Sequence, residues 1–223
     1  MINAVQRLAA AVCLAALPAL ALAAESAAVY VGVDAGSAQQ DFRPHYTFAN
    51  GWTPSTYHNS GSGMALGARV GYQVAVTERF SVAAQAHLGW TAAEWRLTTG
   101  EPAKLEEKIG LHYTVGLVPS LQLLPRWRVY GELGIGQGQI SESKVAPTRS
   151  NYDYASWTGQ VTWGAGLLFQ ATDRLGVYGE FRRTQYSRVS YVSALPGSTA
   201  IVEYIADSPR AEVLTVGLRY AFN

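Results

Sequence analysis

Hydrophobic and polar residues alternate along most of this chain with a period of two, most plainly in the final stretch, Val213 to Phe222. There Leu214, Val216, Leu218, Tyr220 and Phe222 interleave with Thr215, Gly217, Arg219 and Ala221. One face of the strand is wholly apolar and the other is small or charged. A soluble protein blunts such a terminal strand with charge, proline or shortness, because a long aromatic edge invites aggregation. Both edges of this strand must therefore be paired and its apolar face covered. A closed barrel in lipid meets both needs, since closure removes the edge and the bilayer solvates the apolar face.

The same reading predicts eight strands, at about 28–36, 64–76, 80–92, 109–123, 127–139, 158–171, 175–186 and 212–222. On the second, Met64, Leu66, Ala68, Val70, Tyr72, Val74 and Val76 take the outward positions. The fourth puts Leu111, Tyr113, Val115 and Leu117 outward and His112, Thr114, Gly116 and Val118 inward. A soluble barrel would show the inverse, apolar inside and polar outside. Pro119 lies within a strand and has no amide to donate, so a local bulge is expected there.

Three segments recur nearly in phase: Thr77-Glu78-Arg79-Phe80, Leu124-Pro125-Arg126-Trp127 and Thr172-Asp173-Arg174-Leu175, with arginines 47 and 48 residues apart. Each reads as a tight polar turn followed by a strand that opens on a large apolar residue. Longer segments rich in Gly, Ser, Pro and charge lie between them, which gives short turns at one end and long loops at the other. Outward Tyr72, Phe80, Trp127, Phe169, Tyr220 and Phe222 sit near the short turns, and Trp90, Tyr113 and Trp163 sit about one tilted transmembrane strand away. Two aromatic girdles are what a bilayer selects. The fold class that follows is all-β, an eight-stranded antiparallel up-and-down transmembrane beta-barrel.

The N-terminus adds a route to a membrane. Arg7 forms a positive n-region, Leu8 to Leu22 an apolar run broken by Pro18, and Ala21-Leu22-Ala23 a small-residue cleavage site. Residues 1–23 are thus expected to be a signal peptide and 24–223 the barrel domain. Cys13, the only cysteine, lies in the leader, so no disulfide is expected in the mature chain. Loss of Arg7 takes the 17 basic residues to 16, equal to the 16 acidic ones, and this balance gives no support to a nucleic-acid partner. Mean hydropathy is +0.02, as fits a membrane signal spread over short alternating strands rather than gathered in helices.

Inward positions carry Asp34, Arg69, His87, His112, Arg128, Glu132, Glu180, Arg182 and Arg219. Of these, Asp34, Arg69, Glu132, Glu180, Arg182 and Arg219 form the expected interior charge network, with opposite charges meeting near mid-barrel. Charges out of bulk water persist when paired and hydrogen-bonded, so the structural reading is a salt-bridged plug. A gate or selectivity ring would use the same residues. The plug is favoured because the interior of eight strands is just filled by side chains. Glu132 is expected to partner a buried arginine. His87 and His112 form an interior pair without a third ligand, so neither a metal nor a cofactor is expected, and no catalytic residue is assigned.

Residues 37–63 are read as a long loop with scattered aromatics, suited to recognition or to packing on the barrel rim. Ala93 to Lys108 reads as a charged hairpin, and a further hairpin is expected from Val189 to Leu195 and Thr199 to Ile205 around Pro196-Gly197-Ser198. An exposed edge there would suit a partner strand.

Segments Gly110 to Gly138 and Trp163 to Tyr186, with Gly164-Ala165-Gly166, Thr172-Asp173-Arg174 and Tyr178-Gly179-Glu180-Phe181-Arg182, resemble the OmpA-like and opacity-type eight-stranded outer-membrane family. Gly217, Tyr220 and Phe222, with Thr215, resemble the C-terminal insertion signal of bacterial outer-membrane barrels, followed here by Asn223. The resemblance implies a Gram-negative outer-membrane location, contact with outer-membrane lipid and lipopolysaccharide, and handling by the barrel assembly machinery during insertion. OmpA-type proteins also carry a periplasmic peptidoglycan-binding domain; here the expectation is the barrel alone. The function expected is non-enzymatic: envelope integrity, contact with an extracellular ligand through the loops, or both. A narrow porin-like channel for small solutes is the alternative. A lipid A-modifying enzyme stands third, because the His-x-Ser unit of the deacylase barrels is matched only by His112-Tyr113-Thr114, which faces inward.

Overall fold

Antiparallel pairing carries the sheet round until its first strand meets its last. The computed structural model describes residues 27–42, 44–48, 55–56, 59–98, 104–145, 152–194, 201–206 and 208–222; the expected leader lies outside them. In chain order the strands are β1 (Ala27–Phe42), β2 (Pro44–Phe48), β3 (Ser55–Thr56), β4 (Asn59–Ala75), β5 (Phe80–Thr91), β6 (Glu94–Thr98) and β7 (Lys104–Leu124). They continue as β8 (Trp127–Val145), β9 (Tyr152–Gln170), β10 (Leu175–Tyr186), β11 (Val189–Ala194), β12 (Ile201–Ala206) and β13 (Arg210–Phe222). Eight of them form the barrel in the order β1-β13-β10-β9-β8-β7-β5-β4, and β4 pairs back onto β1. Closure leaves no free edge within the membrane, as lipid requires of a sheet.

Burial alternates residue by residue. On β10, Gly176, Tyr178, Glu180, Arg182, Thr184 and Tyr186 are buried, and Leu175, Val177 and Phe181 are exposed to the surroundings of the barrel. On β4 outward Met64, Leu66, Ala68 and Val70 are exposed, Tyr72 is half-buried, and Val74 is only 1% exposed beside Met64 at 59%. Arg183, an outward charge, is half-buried, with its Nε 3.5 Å from Glu212 Oε1 and its guanidinium 5.9 Å from the centre of the Trp163 ring. Aromatic pairs mark both ends of the outer surface: Trp127 with Phe169 at 4.9 Å, Tyr220 with Phe222 at 5.0 Å, and Tyr113 with Trp157 at 6.0 Å.

The sequence repeat is a repeat of hydrogen bonds. Thr77 Oγ1 accepts from the Phe80 amide at 3.0 Å and Thr172 Oγ1 from the Leu175 amide at 2.9 Å, so two turns share one side-chain cap. The carbonyls of Arg79, Arg126 and Arg174 accept from the amides of Gln122, Gln170 and Ala221, each at 2.8 Å. Every short turn is thereby tied to a neighbouring strand.

Two expectations are corrected. Pro119 produces no bulge. It pairs with Val82 in unbroken register, and Leu117↔Leu133 and Ser120↔Tyr130 keep one offset on the β8 side. The ladder simply omits Val118 and Pro119, and the Pro119 ring packs over Gly131, where its Cγ lies 4.0 Å from where a Cβ would stand. The register shifts fall instead between Ile109 and His112, across Gly110, and between Gln122 and Leu124, next to the short turn. The strands also run well past their expected loop-side ends, β1 to Phe42 and β4 back to Asn59. Backbone pairing does not stop where lipid stops, whereas the apolar alternation that reveals a strand does.

Above the barrel β11, β12, β2 and β3 form a separate four-stranded sheet, so much of the expected first loop is strand. The hairpin expected around Pro196-Gly197-Ser198 is formed by β11 and β12, and Tyr46 of β2 stands opposite Tyr204 of β12. In the expected charged hairpin, β6 pairs with the start of β7 and sets Glu94 opposite Lys108 and Arg96 opposite Glu106.

Candidate functional site

The lumen is filled in layers, each built by the inward parity of its strands. At the loop end Phe42, Ile109, Ile140, Tyr186, Val189 and Ala211 form a buried apolar cluster. Just inside it Gln40 spans the lumen: its Nε2 donates to Thr91 Oγ1 at 2.6 Å and to the Ile109 carbonyl at 3.0 Å, and its Oε1 accepts from the Ile109 amide at 3.1 Å. Thr91 Oγ1 also donates to the Ile109 carbonyl.

The charged layer lies below. Arg69 of β4 donates from Nη1 to Glu180 Oε2 at 2.8 Å and from Nη2 to Glu180 Oε1 at 3.1 Å and Asp34 Oδ2 at 2.9 Å. Arg182 Nη2 donates to Asp34 Oδ1 at 3.2 Å, and its Nε stands 2.8 Å from Glu180 Oε1 without the alignment of a hydrogen bond. Tyr130 donates to Glu180 Oε2 at 2.8 Å and Tyr178 to Asp34 Oδ2 at 3.1 Å. Each carboxylate thus accepts from at least one arginine and from a tyrosine, the condition under which a buried charge persists. Four of the six residues expected in this network meet here: Asp34, Arg69, Glu180 and Arg182.

The other two do not join the ion pairs. Glu132 is buried, 5% exposed, with its Oε2 lacking a hydrogen-bond partner. The arginines it was expected to serve are held by Asp34 and Glu180 instead, although Glu132 shares a ladder row with Arg182 through Gly164. Arg219 donates to Gln73 Oε1, and its guanidinium lies 3.7 Å from the centre of the Tyr30 ring. His87 and His112 have ring centres 6.0 Å apart but bond elsewhere. Arg182 Nη1 lies 2.9 and 2.8 Å from the two His87 ring nitrogens, and His112 Nδ1 lies 3.3 Å from the Gly110 carbonyl. No cluster of three metal-ligating side chains occurs among the described residues.

Below the charges Tyr30, Ala83, Val118, Tyr130, Leu168 and Tyr178 form a second apolar cluster. Three of its tyrosines lie over glycines directly opposite in the ladder: Tyr30 over Gly71, Tyr130 over Gly166 and Tyr178 over Gly217. A Cβ at any of these glycines would run into the phenol ring. Glycine here gives the ring a flat seat; the hydroxyls of Tyr130 and Tyr178 reach the charged layer, and that of Tyr30 donates to Gln85 Oε1 at 2.9 Å. The charge-based reading of the sequence missed both apolar layers and these pairs, although the inward parity of Tyr30, Tyr130, Tyr178 and Tyr186 marked them. Gly217 therefore faces the lumen, while Tyr220 and Phe222 face outward on β13, opposite Val31 and Val29 of β1 at the barrel closure.

At the short-turn end the lumen opens into a cavity of about 260 Å³ lined in part by Arg79, Arg128, Arg174 and Arg219.

Comparison with known proteins agrees with this architecture. A major outer membrane protein from Thermus thermophilus superposes with a TM-score of 0.53 at 11% identity, covering 89% of this chain and 100% of that one. OprG, an outer membrane protein from Pseudomonas aeruginosa, gives 0.45 at 14% identity, over 88% of this chain and 97% of its own. Ail, the attachment invasion locus protein of Yersinia pestis, gives 0.40 at 16% identity, over 86% of this chain and 98% of its own. The first of these likenesses speaks for the fold alone. No match is found among curated proteins. The outer membrane protein beta-barrel domain family matches residues 9–222, nearly the whole chain. With a closed eight-stranded barrel, apolar outside and charged within, this chain belongs to that family and is a protein of the bacterial outer membrane.

Proposed function

We propose that this barrel is closed to solutes and non-enzymatic, and that it serves the cell envelope and surface contact through its external loops. The observation that carries the reading is the cross-lumen set of ion pairs among Asp34, Arg69, Glu180 and Arg182, which ties β1, β4 and β10 together. An ion crossing the lumen would have to break fully buried, hydrogen-bonded pairs and then pass the apolar cluster of Phe42, Ile109, Ile140 and Tyr186. The non-enzymatic part rests on the orientation of His112 and Thr114, both buried on the lumen side, away from a lipid substrate. The surface part rests on β2, β11 and β12, which pair into a sheet beyond the barrel.

Proteoliposomes containing the refolded protein should admit a small sugar no faster than empty vesicles. Faster entry would establish the narrow channel instead. Cells lacking the protein should become more sensitive to detergent, and unchanged sensitivity would remove the envelope role.

A further inference from the structure

We infer that the short-turn mouth of the barrel is a binding site for a phosphate group, held by Arg128 and Arg219. The inference is independent of whether the lumen conducts. In the charged layer each arginine faces a carboxylate. In the mouth the two lumen arginines, near each other, bond only neutral groups among the described residues. Arg128 donates to Ser81 Oγ at 3.3 Å and to Gln122 Oε1 at 3.4 Å, both long bonds, and Arg219 has Gln73 and the Tyr30 ring.

Both guanidiniums line the same cavity of about 260 Å³, which opens at the short-turn end of the barrel. Two cations withdrawn from water without a counterion raise the energy of the folded barrel, and an anion from solution removes that cost. Arg79 and Arg174 add positive charge at the rim, where exposed Glu78 and Asp173 are the opposing carboxylates. Gln73 places a further amide donor on the same wall, while the Ser81 hydroxyl is engaged by Gln73 and by Ser120, each at 2.7 Å. Two guanidinium forks with a neutral donor beside them offer more hydrogen bonds than a carboxylate can accept. A phosphate, with more oxygens and up to two charges, takes them. Chemically the ligand is a phosphate group, free or carried on a lipid headgroup of the inner leaflet.

The test is thermal unfolding of the refolded, full barrel in nonionic detergent while inorganic phosphate is titrated against chloride at matched ionic strength. The expected result is a saturable rise in midpoint with phosphate, with apparent affinity weakened about tenfold or more in Arg219→Gln and in Arg128→Gln. Arg183→Gln, on the outer surface, should keep the wild-type response. Should Arg219→Gln fail to fold, Arg128→Gln, half-buried at the mouth, decides the matter. A parallel titration with phosphatidylglycerol separates the sources: a response to inorganic phosphate assigns a soluble ligand, and one confined to the lipid assigns a headgroup. No saturable response to either, or equal responses in wild type and both variants, would overturn the inference.

Discussion

Arg69 and Glu180, 111 residues apart in the chain, meet inside the barrel through paired hydrogen bonds of 2.8 and 3.1 Å from one guanidinium to one carboxylate. Their side chains are almost wholly shielded from solvent. Glu180 also receives the Tyr130 hydroxyl, and Arg69 reaches on to Asp34, so this bidentate pair is the centre from which the rest of the charged layer is reached.

Glu180→Gln leaves two buried guanidiniums short of countercharge. It should destabilise the barrel by about 3–5 kcal/mol, the usual cost of breaking a buried pair from one side. Glu132→Gln removes a carboxylate that holds no arginine. It should cost far less or stabilise. Urea unfolding of the two variants in lipid compares them, and a larger loss for Glu132→Gln would contradict the pairing.

The tyrosine seats give a second contrast. Gly166→Ala and Gly217→Ala each drive a methyl into a phenol ring that is itself anchored by a hydrogen bond. Each should cost about 1–3 kcal/mol, as overpacking usually does. Gly179 faces outward with open space around it, and Gly179→Ala should be close to neutral. Equal losses at all three positions in the same unfolding assay would mean that the rings do not depend on their glycines.

Gln40 holds the loop end of the lumen through three bonds to Thr91 and Ile109. Gln40→Leu keeps the bulk but takes the acceptor from the buried Ile109 amide, while Thr91 keeps its bond to the Ile109 carbonyl, at a cost of about 1–3 kcal/mol. The expected readout is faster hydrogen exchange at the Ile109 amide. Unchanged protection there would show that the amide has another acceptor.

Pro119 leaves its stretch of the β7–β8 ladder without pairs and the register intact. Pro119→Val supplies an amide to a gap already in register, and should stabilise the barrel by about 1 kcal/mol. Destabilisation would mean that the fit of the ring over Gly131 outweighs the missing bond.

These variants also show where sequence reading reached and where it stopped. The face of nearly every membrane residue was legible, because a period of two needs no knowledge of the neighbouring strand. The three short turns were legible from Thr77, Pro125 and Thr172. Partner choice was not: inward parity puts Glu132 and Glu180 equally in the lumen, and only the closed barrel, which no single strand encodes, gives Arg69 to Glu180. The strand extensions above the membrane were hidden for another reason. Their outward face meets water instead of lipid, so residues 37–42, with exposed Ser37 and Gln39 between buried Ala38, Gln40 and Phe42, show no apolar outward face although their backbones pair. Tracking charge alone also passed over Tyr186, whose inward parity was readable; Phe42 and Ile140 lie beyond the expected strand ends, and the register shift across Gly110 turns Ile109, outward by the alternation, into the lumen.

Single-channel recording in a planar bilayer tests the closed interior most directly, with wild type and Glu180→Gln measured side by side. The account predicts a silent wild type and discrete openings in the variant, because the ion pairs that Glu180 completes are what bar the lumen. Discrete steps in the wild type, of the same size in the variant, would contradict it.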